Sequence, residues 1–173
     1  VLGAGADNFT FDNQNHLIKA GMGNDRITTG AGNDSLYGEA GNDNLTGGAG
    51  DDLLVGGIGN DTLNGCTGND TYLFGRGDGQ DQINNTTSTW QSDNDRLVFQ
   101  EGINADQLWF QKSGNNLIVR IIGTTDKVTV TNWYRGDQYK LDSFELANGE
   151  TLLANQIDNL VNAMASFNPP VYG

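Results

Sequence analysis

The sequence predicts a mostly β chain: a right-handed parallel β-roll over residues 1–84, followed by a β-rich capping flank over 85–173 with one short helix. Three observations predict it. An aspartate returns every nine residues at Asp25, Asp34, Asp43, Asp52, Asp61 and Asp70, with Asp7 in the same register two steps earlier. A large apolar residue follows each register position by two, at Phe9, Ile18, Ile27, Leu36, Leu45, Leu54, Leu63 and Tyr72. Glycine crowds the same stretch, with 19 of its 25 copies before residue 81. Glycine-rich, acidic chain ordinarily stays disordered because it buries too little apolar surface. The strict period argues that this one orders conditionally.

Each nine-residue frame reads G-G-x-G-x-D-x-U-x, with U large and apolar, most plainly in residues 47–55 and 56–64. This frame is a known signature of parallel β-helices that bind calcium. The physical reason follows from its parts. A Gly/Asx turn joins a very short strand that sends one side chain inward. One such side chain builds no core alone, so frames stack. Two frames make one coil, and residues eighteen apart lie over each other at about the strand spacing of 4.8 Å. Asp7, Asp25, Asp43 and Asp61 then share one edge, and Asp34, Asp52 and Asp70 the other.

Carboxylates about 5 Å apart repel by about 1 kcal/mol in water and about 3 kcal/mol at an effective dielectric near 20. Bridging calcium removes that repulsion. Aspartate oxygens and turn carbonyls together supply the six or so hard ligands it prefers, and ordering and metal binding become one event. The expected ligands are Gly3, Gly5 and Asp7; Gly21, Gly23 and Asp25; Gly30, Gly32 and Asp34; Gly38, Ala40, Gly41 and Asp43; Gly47, Gly48, Ala49, Gly50 and Asp52; Gly56, Gly57, Ile58, Gly59 and Asp61; Gly65, Thr67, Gly68 and Asp70; and Gly77, Gly79 and Asp81. Pairing gives about five ions, or six if Asp61 and Asp81 pair across a frame displaced by two residues. Residues 1–84 carry 12 acids against 3 bases, so five divalent ions nearly balance them.

Imperfect frames carry expectations too. His16 stands where aspartate should, so frame 11–19 reads as a structural coil without metal on that edge. As the only histidine, it lacks the partners a zinc or catalytic site needs. Glu39 and Cys66 replace the second glycine of their frames, where backbone carbonyls still serve with weaker affinity. Cys66 is read as a tolerated turn residue rather than a reactive thiol. The plain alternative for the region is a linker of accidental regularity. Six aspartates in unbroken step, each with glycine at −2, argue against it.

Beyond Ile83 the repeat fades through the polar stretch 84–89. Strand composition follows at 96–99, 107–110, 116–122 and 127–131, with hairpin turns at Ser113-Gly114-Asn115 and Asn148-Gly149. Residues 154–167 read as a helix, with Ile157, Leu160, Val161, Met164 and Phe167 on one face and Asn168-Pro169-Pro170 as its stop. Trp109, Phe110, Trp133, Tyr134 and Phe144 form either an aromatic binding platform or the core of a small β domain; core is the favoured reading. A solenoid end exposes apolar core and unpaired strand edges, so a cap is physically required there.

The nonapeptides resemble those of the RTX (haemolysin-type calcium-binding) family of secreted bacterial proteins. Asp106-Gln107-Leu108-Trp109-Phe110, residues 121–126, Trp133-Tyr134-Arg135 and residues 160–165 resemble the last repeat block and flank of RTX toxins of the adenylate cyclase toxin type. The resemblance implies export through a type I secretion channel, C-terminus first, from a calcium-poor cytosol where the module is unfolded. It also implies a flank that nucleates roll folding. An uncleaved secretion signal ends such proteins, and residues 169–173 show no clear counterpart.

The formal charge of −13 argues against nucleic acid and anionic membranes as partners. One cysteine excludes an internal disulfide. There is no transmembrane run and no signal peptide at Val1, and the missing initiator Met suggests part of a longer protein. Neither HExxH nor GxSxG occurs. The expected function is a non-catalytic calcium-induced folding module of a secreted, extracellular or surface-retained protein, with a host-cell receptor as a further candidate partner. The alternative is a calcium-dependent adhesive or carbohydrate-binding module.

Overall fold

The computed structural model describes residues 1–86 and 93–167. The end of the polar stretch (87–89), the Asn168-Pro169-Pro170 helix stop and the last residues considered for a secretion signal lie outside them. Strands β1 (Gly3–Ala4), β3 (Leu17–Met22), β5 (Ser35–Ala40), β7 (Leu53–Ile58) and β9 (Thr71–Phe74) stack in parallel in one sheet. The alternate strands β2 (Asn8–Thr10), β4 (Arg26–Thr28), β6 (Asn44–Ala49), β8 (Thr62–Thr67) and β10 (Gln80–Ile83) stack in the other. Through β9 strand partners are eighteen residues apart, as Leu36 with Leu54 and Leu45 with Leu63, and β10 lies twenty from β8. The nine-residue period thus becomes a two-sheet roll.

The apolar position builds the core. Ile18, Leu36, Leu54 and Tyr72 form one buried column, and Ile27, Leu45, Leu63 and Ile83 face them from the second sheet. Each side chain contributes about 1.5–3 kcal/mol by burial. Phe9 departs from expectation. It is 44% exposed, and β2 is the end strand of its sheet.

Stacking continues past residue 84. β11 (Arg96–Phe99) pairs in parallel with β9, and β15 (Ser143–Glu145) with β11. In the second sheet β14 (Lys127–Val130) adds in parallel to β10. The change at 84/85 is therefore one of composition, not a break in either sheet. Only then does the direction reverse. β12 (Leu108–Ser113) and β13 (Asn116–Ile121) form a hairpin on β14, and β16 (Thr151–Leu153) closes on β15. Gly114 at φ +60° makes the first hairpin turn.

Helix α1 (Ala154–Ala165) packs on β12, burying Ile157 and Val161. The Gln156 side chain accepts the Leu153 N–H at 2.8 Å and holds its first turn. The helix stops two residues short of expectation. Phe167 lies beyond it at 69% exposure rather than on the buried face.

Candidate metal centre

The turns between the sheets place the row aspartates. On the edge leading into the second sheet, the N–H groups of Asp7, Asp25, Asp43 and Asp61 donate to Oδ1 of Asp25, Asp43, Asp61 and Asp81 at 2.7–3.0 Å. On the other edge, His16, Asp34 and Asp52 donate likewise to Asp34, Asp52 and Asp70 at 2.7–3.0 Å. Each carboxylate thus clamps the coil before it. Asp61 and Asp81 pair despite the two inserted residues, since Gln82 and Ile83 still register with Thr62 and Leu63.

The second oxygen of these carboxylates has no such partner. Oδ2 of Asp25, Asp34, Asp43, Asp52, Asp61, Asp70 and Asp81 is buried without any hydrogen bond. A buried polar atom left so costs about 1–3 kcal/mol, and more when charged. The glycine five residues back in the frame makes room for this oxygen. A Cβ on Gly38, Gly47, Gly56 or Gly65 would strike Oδ2 of Asp43, Asp52, Asp61 or Asp70. The glycine at −2 has a different task. Gly41, at φ +143°, lies so close to the carbonyl of Gly23 below that any Cβ would collide with its oxygen.

These buried anionic oxygens, among backbone carbonyls, suit a hard divalent cation such as calcium and not a thiolate–imidazole metal. Among the described residues, no three His, Cys, Asp or Glu side chains form a metal-binding group. A cation bridging two row aspartates would therefore complete its shell from the turn carbonyls. The −3 carbonyls of Ala40, Ala49, Ile58 and Thr67 already accept the N–H of Gly23, Gly32, Gly41 and Gly50 at 2.8–2.9 Å, which leaves one lone pair each.

Burial governs the protonation of the rows. Desolvation raises Asp52 to about 6, Asp61 to about 7, and Asp70 and Asp81 to about 8. The clamping N–H of the coil below opposes the rise, and neighbouring row carboxylates add to it. Asp43 moves upward for the same reasons.

The structure also brings in residues that sequence reasoning missed. Asp95 accepts the Asp70 N–H at 2.8 Å, and Asp142 accepts that of Asp95 at 2.9 Å, so the second row runs into the flank. Asp126 accepts the N–H groups of Gly77 and Gly79 at 2.8 and 3.2 Å. The signal was available: Leu97, Val128 and Phe144 each follow their aspartate by two, as in the repeat. It was hidden because the glycines are gone and the spacing is irregular.

A second ladder was also missed. From position 16 to 70 the residue before each row position is Asn or Asp, at 15, 24, 33, 42, 51, 60 and 69. Its side-chain oxygen accepts the N–H of the coil above, as Asn42 from Asn60 at 2.8 Å and Asn33 from Asp51 at 3.1 Å. The two ladders clamp adjacent coils in opposite senses.

The irregular frames are resolved individually. The imidazole of His16 sits between Asp34 and Asp12, 3.1 Å from each. Glu39 and Cys66 hold φ of +73° and +79° in glycine's place, a conformation L side chains disfavour. Burial pushes the Cys66 thiol up, away from a reactive thiolate. Phe110, Trp133 and Phe144 are core, while Trp109 and Tyr134 are half-buried, with Lys112 lying 4.2 Å from the Tyr134 ring centre.

Roll, edge carboxylates and glycine cradles together define the class: a stacked β-roll of calcium-binding nonapeptides. Residues 20–54 and 46–81 match the RTX calcium-binding nonapeptide repeat, and residues 116–156 match the haemolysin-type calcium binding protein related domain. Over these two stretches the chain carries the nonapeptide repeats and the related domain of the RTX, haemolysin-type calcium-binding family. It is 35% identical over 93 residues to the iron-regulated protein FrpA of Neisseria meningitidis serogroup C. That match covers 52% of this chain and 8% of FrpA's length. None of the described helices is long and apolar enough to cross a membrane.

Proposed function

We propose that this chain is a calcium-triggered folding module of a larger exported protein, non-catalytic itself. It would leave the cell unfolded through a type I secretion channel and order outside. The observation that carries this reading is the set of seven buried, unpartnered carboxylate oxygens in two stacked rows. The row aspartates and turn carbonyls would hold about five calcium ions, with a sixth between Asp61 and Asp81. Extracellular calcium modules typically bind at about 10⁻⁴–10⁻³ M, so such sites fill outside a cell and empty inside it. Several ions that bind only the folded form make the transition steep. Folding at the channel exit would then oppose backsliding.

Far-UV circular dichroism of the chain during calcium titration is the test. Little β structure is expected in chelator, with a steep rise on calcium and no comparable rise on magnesium, which keeps its water and octahedral shell. An unchanged β spectrum in chelator would overturn the reading. The export step needs its own assay: secretion rate of the passenger should rise with external calcium.

A further inference from the structure

The second row of aspartates does not stop where the repeats do. Arg96 pairs with Thr71, which sets Asp95 over Asp70, and its Oδ1 accepts the Asp70 N–H as every lower row carboxylate accepts its neighbour's. By position Asp95 is the next metal ligand. One difference sets it apart. The second oxygens of Asp34, Asp52 and Asp70 are buried without a partner, whereas that of Asp95 accepts the side-chain amide of Asn85 at 2.8 Å.

Asn85 is itself wholly buried. Its amide nitrogen also donates to the Lys140 carbonyl at 2.9 Å. Its oxygen accepts the Tyr72 hydroxyl at 3.3 Å, and that hydroxyl accepts the Gly65 N–H at 2.9 Å. The orientation of the amide is fixed by its neighbours, since a carboxylate and a carbonyl can only accept. Turning its oxygen toward a cation would break all three bonds and take the amide donor from the buried Asp95 carboxylate and from the Lys140 carbonyl.

We propose that Asn85 stands in for a cation at Asp95, so that the metal positions on this edge end at Asp70 while the hydrogen-bonded ladder continues into the cap. This rests on the reading of the rows as calcium sites. Asn85 is a positioning residue: it joins Tyr72 and Gly65 of the roll to Asp95 and Lys140 of the cap and completes the last turn with protein donors alone.

The test is the number of calcium ions bound per chain, read by native mass spectrometry and equilibrium dialysis on the full chain. D70N should bind at least one ion fewer than wild type, and D95N should bind the same number as wild type. N85D, which sets a second carboxylate against Asp95, should bind one ion more. A lost ion in D95N, or an unchanged count in N85D, overturns the assignment. If N85D fails to fold even in excess calcium, the D95N count decides alone. A wild-type chain that binds no calcium would instead overturn the reading of the rows.

Discussion

Within residues 17–72, one large side chain in each nine-residue frame fills the core, and glycines and carboxylates fill the edges. Across 96–161 the ratio inverts. Phe99, Leu108, Phe110, Leu117, Val119, Ile121, Trp133, Leu141, Phe144 and Ile157 are buried together there, around an edge-to-face Phe110–Phe144 pair at 5.8 Å. The two regions share both sheets and one continuous core, yet they meet the entropy of ordering differently. The cap offsets it with apolar area. The roll has less apolar area per residue and more glycine, so its net stability depends on what neutralises its edges. Loss of metal should therefore strike the roll, and loss of side-chain volume should strike the cap.

The largest expected effect is in the cap. Trp133→Ala removes a fully buried ring packed on Phe144, and should cost about 3–5 kcal/mol in denaturant unfolding at saturating calcium. A loss below about 1 kcal/mol would show that the cap is not an apolar anchor.

Next comes the shared carboxylate of the roll. Asp52 clamps Asp34 below and borders Asp70 above. Asp52→Asn should shift the calcium midpoint several-fold upward, more than Asp7→Asn in the first coil and far more than exposed Asp137→Asn. Equal midpoints for Asp52→Asn and Asp137→Asn would dissolve the distinction between edge and surface carboxylates.

Acid offers a subtler contrast. Asp52, Asp61, Asp70 and Asp81 are raised to between about 6 and about 8, against about 4 in an unfolded chain. The folded roll without metal therefore binds more protons than the unfolded chain. Its stabilisation by protonation is complete below about pH 4 and is lost as pH rises through 6 to 8. In chelator, β structure should grow as pH falls from 8 to 5. A metal-free chain that loses β structure on that path would contradict the burial assigned to the rows.

The smallest effect is a gain. Glu39→Gly relieves a side chain held at φ +73° and should stabilise the calcium-bound roll by about 0.5–1 kcal/mol in denaturant unfolding, net of glycine's greater entropy when unfolded.

Much of this architecture was legible in the chain itself. The nine-residue period predicts two sheets, partners eighteen apart and two rows of aspartates, because a repeat that sends one apolar side chain inward must stack to bury it. Ile18 through Tyr72 lie where that logic places them. Asp95 and Asp142 were not legible as row members. They return to register only after excursions of 25 and 47 residues, and no local pattern states where an excursion ends.

The sequence by itself determined the repeat, its inward residues and the chemistry of its edges, since each is written at a fixed spacing along the chain. Tertiary structure alone decided which carboxylate oxygens go unpartnered, why the first glycine of a frame must lack a Cβ, and that Asn85 reaches Asp95. Those facts depend on atoms brought together across coils. Their positions follow from how two sheets close on one core rather than from spacing along the chain.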